Sequence, residues 1–200
     1  TDFSEQNDTE DNDVYEDELT NIDSNRHLDV EDDTEAYIDI ENDSDLQNIL
    51  ENRLNNELEK ASAFEQDLAL LILRVRNLDK ETTANERIET LLFDVFKYEG
   101  LVFQYKDDGY AGIMLETDLD EAMKIAENIY RETESILTSF NLENKIGIGL
   151  STRNVRIIPA ERLLNEAEKA VEHSFEEQEM PIVAFKVNPE KYRQYLSQQM

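Results

Sequence analysis

The sequence predicts a domain of the α/β or α+β sandwich class, a mixed sheet flanked by helices, and three observations carry that expectation. Apolar runs of strand length alternate with segments of helical periodicity in the order α-β-α-β-β-α-β-α-β-α. Two of the strands stand side by side around a tight turn, so at least part of the sheet is antiparallel. The stretch after residue 45, about 150 residues, is long enough to bury roughly two-thirds of its unfolded surface in one core.

The elements follow in chain order. "DLQNILENRLNNELEKASAF" carries Leu46, Ile49, Leu50, Leu54, Leu58, Ala61 and Phe64 at helical spacing behind Ser44 or Asp45 as cap. "LALLILRV", residues 68–75, is a continuous apolar run, which points to a central strand covered on both faces, and its far end turns basic at Arg74 and Arg76. "ETTANERIETLLFDVFKY" predicts a second helix with Ile88, Leu91, Leu92, Val95 and Phe96 inward, ending at Gly100. "VFQYKDDGYAGIM", residues 102–114, predicts a hairpin in which Gly109 after Asp108 supplies the positive φ of the turn. "LDEAMKIAENIYRETESILTSF" is the longest helix, capped by Asp118, with Leu119, Ala122, Met123, Ala126, Ile129, Tyr130, Ile136, Leu137 and Phe140 in its apolar stripe. "KIGIGLS", residues 145–151, is a strand whose Gly147 and Gly149 admit a close neighbour. After Pro159, "AERLLNEAEKAVEHSF" is a helix, "PIVAFKV" (181–187) a closing strand, and "PEKYRQYL" a short last helix.

Composition divides the chain near residue 45. Residues 1–45 hold nineteen Asp/Glu against a single Arg26, so about -18 of the net charge of -29 lies there. Such a stretch cannot bury enough apolar surface to offset its ordering entropy, and residues 1–45 are expected to be an acidic disordered tail or linker, with 46–200 the domain. Within the tail only "AYIDI", residues 36–40, alternates like a strand. The acidity excludes DNA, RNA and anionic lipid as partners, since these need Lys and Arg against phosphate. No cysteine is present and the two histidines, His27 and His173, lie far apart, so no metal site and no cofactor is expected. No apolar run reaches the roughly 18 residues of a membrane span. The chain begins with Thr, which fits a fragment of a longer protein, and the expected place is the cytoplasm, alone or as the cytoplasmic part of a membrane protein.

The order of elements and several local sequences resemble the GGDEF domain of diguanylate cyclases, a bacterial signalling family related in fold to the palm of nucleotide cyclases and polymerases. The resemblance covers residues 44–187 and implies a mainly antiparallel mixed sheet. "KIGIGLS" is similar to the family's T-V-S-I-G-V-A, and "LLNEAEKAVEHS" to its L-L-x-x-A-D-x-A-L-Y-x-A, with Glu168 in the place of Asp. "QYKDDGYA" falls on the family's R-Y-G-G-D-E-F-A. There Lys106 and Asp107 stand for the glycines that admit GTP phosphates, Asp108 stands at the acidic metal-binding position, Gly109 replaces the following Glu, and Tyr110 replaces Phe.

The first strand departs as well. Where the family ends it with D-x-D, whose first Asp is a metal ligand, this chain has Arg74 and Arg76, which cannot coordinate a cation. Asn85 is the one candidate for the family's guanine-reading residues, "KYEG" (97–100) keeps a charge but not the carboxylate of the product-binding R-x-x-D, and Phe175 replaces a phosphate-contacting Lys. The resemblance therefore implies a degenerate domain without cyclase activity that serves as a regulatory or protein-interaction module. The alternative is a non-catalytic receptor for GTP or cyclic di-GMP. A protein partner, other domains of a longer chain, or a second copy in a homodimer are the expected associates. Arg74 is expected to reach Asp108 or Asp107 across adjacent strands and fill the metal position with an internal ion pair. Lys106 is expected to stand exposed on the turn.

Overall fold

The computed structural model describes residues 43–97, 99–176 and 180–186. The chain divides into two units, Thr1–Ile38 and Asp39–Met200, and all described residues lie in the second. In chain order the elements are α1 (Asp43–Ala63), β1 (Leu68–Val75), α2 (Thr83–Phe96), a 3-10 turn (Glu99–Leu101), β2 (Val102–Tyr105), β3 (Gly109–Leu115), α3 (Leu119–Ser139), β4 (Ile146–Thr152), α4 (Ala160–Glu176) and β5 (Ile182–Ala184). The expected "AYIDI" strand and "PEKYRQYL" helix lie outside the described residues.

The unbroken apolar run of β1 has the placement its composition demands. It is the middle strand of a five-stranded sheet ordered β2-β3-β1-β4-β5. It pairs antiparallel with β3 and with β4, while β2 pairs antiparallel with β3, and β5 joins β4 in parallel. The mixed, mainly antiparallel sheet flanked by helices is thus present. Because side chains alternate across a strand, β1 feeds two cores at once. Leu68, Leu70 and Ile72 pack with Leu50, Leu54 and Leu58 of α1 and with Leu163, Val171 and Phe175 of α4. Ala69, Leu71, Leu73 and Val75 pack with Ile88, Leu92 and Phe96 of α2 and with Ala126, Ile129 and Leu137 of α3. Each fully buried Leu or Ile contributes about 2 kcal/mol of transfer free energy, so this one strand stabilises both layers.

Helix boundaries follow from caps. The Thr82 side chain accepts from the Asn85 backbone N–H at 3.2 Å, and Asp118 accepts from the Glu121 N–H at 2.9 Å. At its other end α2 stops earlier than expected. Lys97, not Gly100, takes the left-handed backbone (φ 61°), and its N–H returns to the Phe93 carbonyl at 2.8 Å. A second correction concerns Phe64, which the periodicity assigned to the α1 stripe. It lies one residue past the helix and is 73% exposed, leaving a narrower stripe of Leu50, Leu54, Leu58 and Ala61. In α3 the buried face includes Thr133, whose hydroxyl has no hydrogen-bond partner among the described residues. No helix among them is long and apolar enough to cross a membrane.

Gly149 shows what the glycines of β4 are for. A Cβ there would lie 2.2 Å from the Ala167 carbonyl oxygen and 2.4 Å from the Val171 nitrogen, so the α4 backbone rests directly on the strand. Backbone cannot yield as a side-chain tip can. Gly149→Ala is therefore expected to destabilise the domain by about 1–3 kcal/mol in urea denaturation. Gly100→Ala, with nothing within 4 Å of the added carbon, should stay within about 0.5 kcal/mol of the native chain.

Candidate functional site

The end of β1 meets the β2–β3 turn, and the charged residues singled out in the sequence converge there. Arg74 sits in register between two glycines, Gly109 on β3 and Gly147 on β4. Its side chain leaves the sheet in the space that Gly109 does not fill. A Cβ at Gly109 would lie 2.6 Å from the Leu73 carbonyl and 2.8 Å from Arg74 Cγ. The guanidinium then meets Asp108 in fork geometry: Nε donates to Oδ1 at 2.7 Å and Nη2 to Oδ2 at 3.0 Å. Both side chains are only 20% exposed. The backbone adds a third link, from the Val75 N–H to the Asp108 carbonyl at 2.8 Å. Of the two carboxylates expected within reach of Arg74, Asp108 is the partner. Asp107 is exposed at the turn.

The role expected of Gly109 is corrected. No glycine among the described residues has positive φ, and Gly109 is an extended residue at the start of β3, paired with Tyr105. The left-handed position of the turn belongs to Lys106 (φ 52°). Gly109 is required for space beside Arg74, not for torsion. Lys106 itself is exposed but not idle, because its ammonium pairs with Glu168 of α4, and the Lys106 carbonyl accepts from Lys80 Nζ at 3.1 Å. The turn is thereby tied to both flanking layers.

Around it the space is closed. A cavity of about 10 Å³ lies between Val75, Leu78, Asn85, Asp107 and Tyr110, room for about one water molecule. Asn85 is engaged with the turn that leads into its helix, its side chain donating to the Lys80 carbonyl at 3.1 Å. Burial pushes the Tyr110 phenol above its ordinary pKa, helped by the Glu89 charge and opposed by a hydrogen bond from Asn85. Among the described residues no group of three His, Cys, Asp or Glu side chains is placed to hold a metal ion. Of the acids at the turn, Asp108 has both oxygens committed to a fixed cation, which leaves Asp107 as the free carboxylate, a donor set that does not fit Mg²⁺.

Two features of the region escaped sequence reasoning. Phe175, near the end of α4, lies under the basic end of β1, with the Arg76 guanidinium 4.1 Å from its ring centroid and Arg74 at 6.0 Å. Its place is reserved by Gly147, where a Cβ would lie 2.7 Å from the ring. The other is a second guanidinium clamp beyond β4. Arg156 donates to Glu166 Oε1 at 3.0 Å and to Oε2 at 2.8 Å, with the two side chains 7% and 6% exposed. With Arg153, which donates to the Gln66 carbonyl at 2.7 Å, it holds a loop in which Val155 adopts φ 60°. Neither pairing has a fixed spacing that a sequence could display.

Tyr105, opposite Gly109, provides a pH handle on the site. Burial raises its phenol from 10.0 to about 12, and the nearby Arg74 charge offsets only part of that rise. Folding thus favours the protonated phenol. The corresponding stability is intact below pH 10 and is lost as pH climbs toward 12. Tyr105→Phe is expected to flatten the fall in unfolding free energy over that interval by about 2 kcal/mol, followed by urea titration at each pH.

No protein-family model matches the chain. An uncharacterized protein of Treponema pallidum (strain Nichols) is 34% identical over 73 residues, 36% of this chain and 41% of that protein. The chain thus matches less than half the length of that curated relative. Among solved structures, the active GGEEF domain of a diguanylate cyclase from Vibrio cholerae aligns with a TM-score of 0.54 at 12% identity, covering 70% of this chain and 96% of that one. The GGDEF domain of DgcB from Caulobacter crescentus, in complex with c-di-GMP, gives 0.54 at 12%, covering 68% and 86%. A GGDEF domain from Pseudomonas aeruginosa gives 0.50 at 20%, covering 71% and 96%. At these identities the similarity is one of fold, and the fold of this chain is that of a GGDEF domain.

Proposed function

We propose that this domain is catalytically inactive and works as a regulatory or protein-interaction module in bacterial signalling. The observation that carries the reading is the Arg74–Asp108 fork. Phosphoryl transfer between nucleotides depends on divalent cations held by convergent carboxylates, which neutralise the charge developing on the phosphates. Here the carboxylate at the turn is already neutralised by a guanidinium bonded to both its oxygens. A divalent ion bound to Asp108 would stand within a few ångströms of that guanidinium and be repelled by it. Lys106 in the turn, in the place of a glycine, adds a further side chain where phosphates would have to approach the backbone.

The alternative reading, a receptor that binds GTP or cyclic di-GMP without turning it over, needs a pocket of roughly 300 Å³ or more for a nucleotide. The space beside the turn holds about 10 Å³. This disfavours a nucleotide base at that place, and binding at another of the domain's cavities is an outcome of the test below.

Incubation of the full chain with GTP and Mg²⁺, followed by chromatography of the products, tests the proposal. No cyclic di-GMP should form, and on the order of 1 mM GTP or cyclic di-GMP should leave the melting temperature within about 1 °C of the ligand-free value. Synthesis of cyclic di-GMP would overturn the reading. A clear rise in melting temperature without turnover would replace it by the receptor.

A further inference from the structure

Between β4 and α4 the usual order of burial is inverted. Arg153 and Arg156 are buried, while the aliphatic Val155 and Ile157 are 69% and 86% exposed. With Phe64 these are the three most exposed large apolar side chains among the described residues, and the backbone gathers the segments that carry them at one end of the sheet. The Arg153 N–H donates to the Leu68 carbonyl at 2.8 Å, its Nη1 to the Gln66 carbonyl at 2.7 Å, and the Val155 N–H to Asp67 Oδ1 at 3.1 Å. Leu115, also exposed, stands in register with Leu68 on β3. Single exposed apolar residues are ordinary on a protein surface, but four on adjoining segments make a patch, and a patch marks an interaction site.

The loop that presents the patch is fixed from within. Arg156 is forked onto Glu166, and Arg153 bonds the segment that leads into β1. Val155 adopts φ 60°, a left-handed conformation that a β-branched residue enters at a cost, and burial within its own domain does not offset that cost. Beside Ile157 a groove of about 360 Å³ lies between Leu58, Glu59 and Ser62 of α1 and Pro159, with room for apolar side chains of a ligand. We propose that Phe64, Leu115, Val155 and Ile157 form a docking face for a basic apolar segment of a partner protein, one that carries Lys and Arg around large apolar side chains. The proposal rests on the reading of the domain as an interaction module and names its surface and the chemistry of its partner.

Charge selects the occupant. Over residues 58–67, 115–118 and 153–159 the acids are Glu59, Glu65, Asp67, Glu116 and Asp118. Asp67 and Asp118 each accept a backbone N–H, and Glu59, Glu65 and Glu116 are exposed. The cations of the same segments are engaged already: Lys60 with Glu57 at 3.0 Å, Arg153 with the Gln66 carbonyl, and Arg156 with Glu166. An apolar centre with an acidic rim is complementary to a segment whose apolar side chains are flanked by Lys and Arg. A second copy of a chain of net charge -29 would bring like rims together, and an anionic lipid surface would meet the same acids.

The test is fluorescence anisotropy of a labelled amphipathic helical peptide of leucine and lysine, titrated with the full chain at physiological ionic strength. The native chain should bind it, and Val155→Asn together with Ile157→Ser, which leave the net charge unchanged, should weaken binding at least about tenfold. Asn accepts the left-handed backbone of residue 155, and circular dichroism reports that the variant folds. Ile49→Ser with Met180→Ser removes exposed apolar surface away from this face and should weaken binding less than about threefold. Glu65→Gln with Glu116→Gln should weaken it at least about threefold. Displacement by an equally charged peptide of serine and lysine, as readily as by the leucine peptide, would overturn the proposal, since charge alone would then bind. So would equal losses in the two apolar variants, unchanged affinity in the glutamine variant, or no peptide binding, including where residues 187–200 of the chain itself occupy the face. Self-association of the native chain that the Val155→Asn, Ile157→Ser variant loses would assign the face to a second copy and overturn it as well. Cyclic di-GMP synthesis would instead sink the parent reading, whereas failure to bind peptide in a chain that makes none would sink this inference alone.

Discussion

The bidentate contact between Arg74 and Asp108 organises the end of the sheet at which β1 meets the β2–β3 turn. It is a link between neighbouring strands, made by a side chain at the end of the central strand and one at the adjoining turn. Space for it comes from Gly109 on the adjoining strand, where a Cβ would lie 2.8 Å from Arg74 Cγ. Partial burial makes the arrangement demanding. Removing either partner would leave the other, only 20% exposed, without the counter-ion it is bonded to. The same guanidinium lies against Phe175, so strand, turn and α4 are coupled through one side chain.

Beyond β4 the chain uses the same device again. The Arg156–Glu166 fork is more deeply buried than Arg74–Asp108 and fastens the β4–α4 connection, while Asn55 of α1 caps the start of α4 by accepting from the Ala160 N–H at 3.2 Å. A protein whose composition is dominated by acid thus places two of its ten arginines in internal forks. Their planar donor geometry suits that use better than lysine would. Lysines at the site are bound differently, to carbonyl oxygens and to Glu168, at the surface.

Much of the architecture was legible because it rests on periodicity. The eight apolar residues of "LALLILRV" admit no exposed face, and they form the central strand over the expected bounds. The expected cap Asp118 stands at the start of α3 because its side chain satisfies a backbone donor of the first turn, while the Thr82 cap of α2 emerged only from the structure. Phe64 was misplaced because periodicity gives the phase of a helix but not the residue at which it stops. Gly109 was misread because an Asp-Gly pair is a strong turn signal, yet the space needed by a side chain on the next strand decided its place. That constraint lies 35 residues away in sequence and is invisible locally. The Arg74–Asp108 contact was expected only through the resemblance to the GGDEF pattern, not from any spacing within the chain. The cluster around Phe175 was not expected, since no spacing relates residues 76 and 175.

A double-mutant cycle on Arg74 and Asp108 measures the central interaction without reference to any ligand. Arg74→Met, Asp108→Asn and the double variant are compared by urea denaturation. If the pair is a mutually dependent unit, each single change costs more than its share and the double variant recovers part of the loss, with a coupling free energy of about 1–3 kcal/mol. Additive effects, with coupling below about 0.3 kcal/mol, would show that the two charges do not depend on each other and would contradict the account.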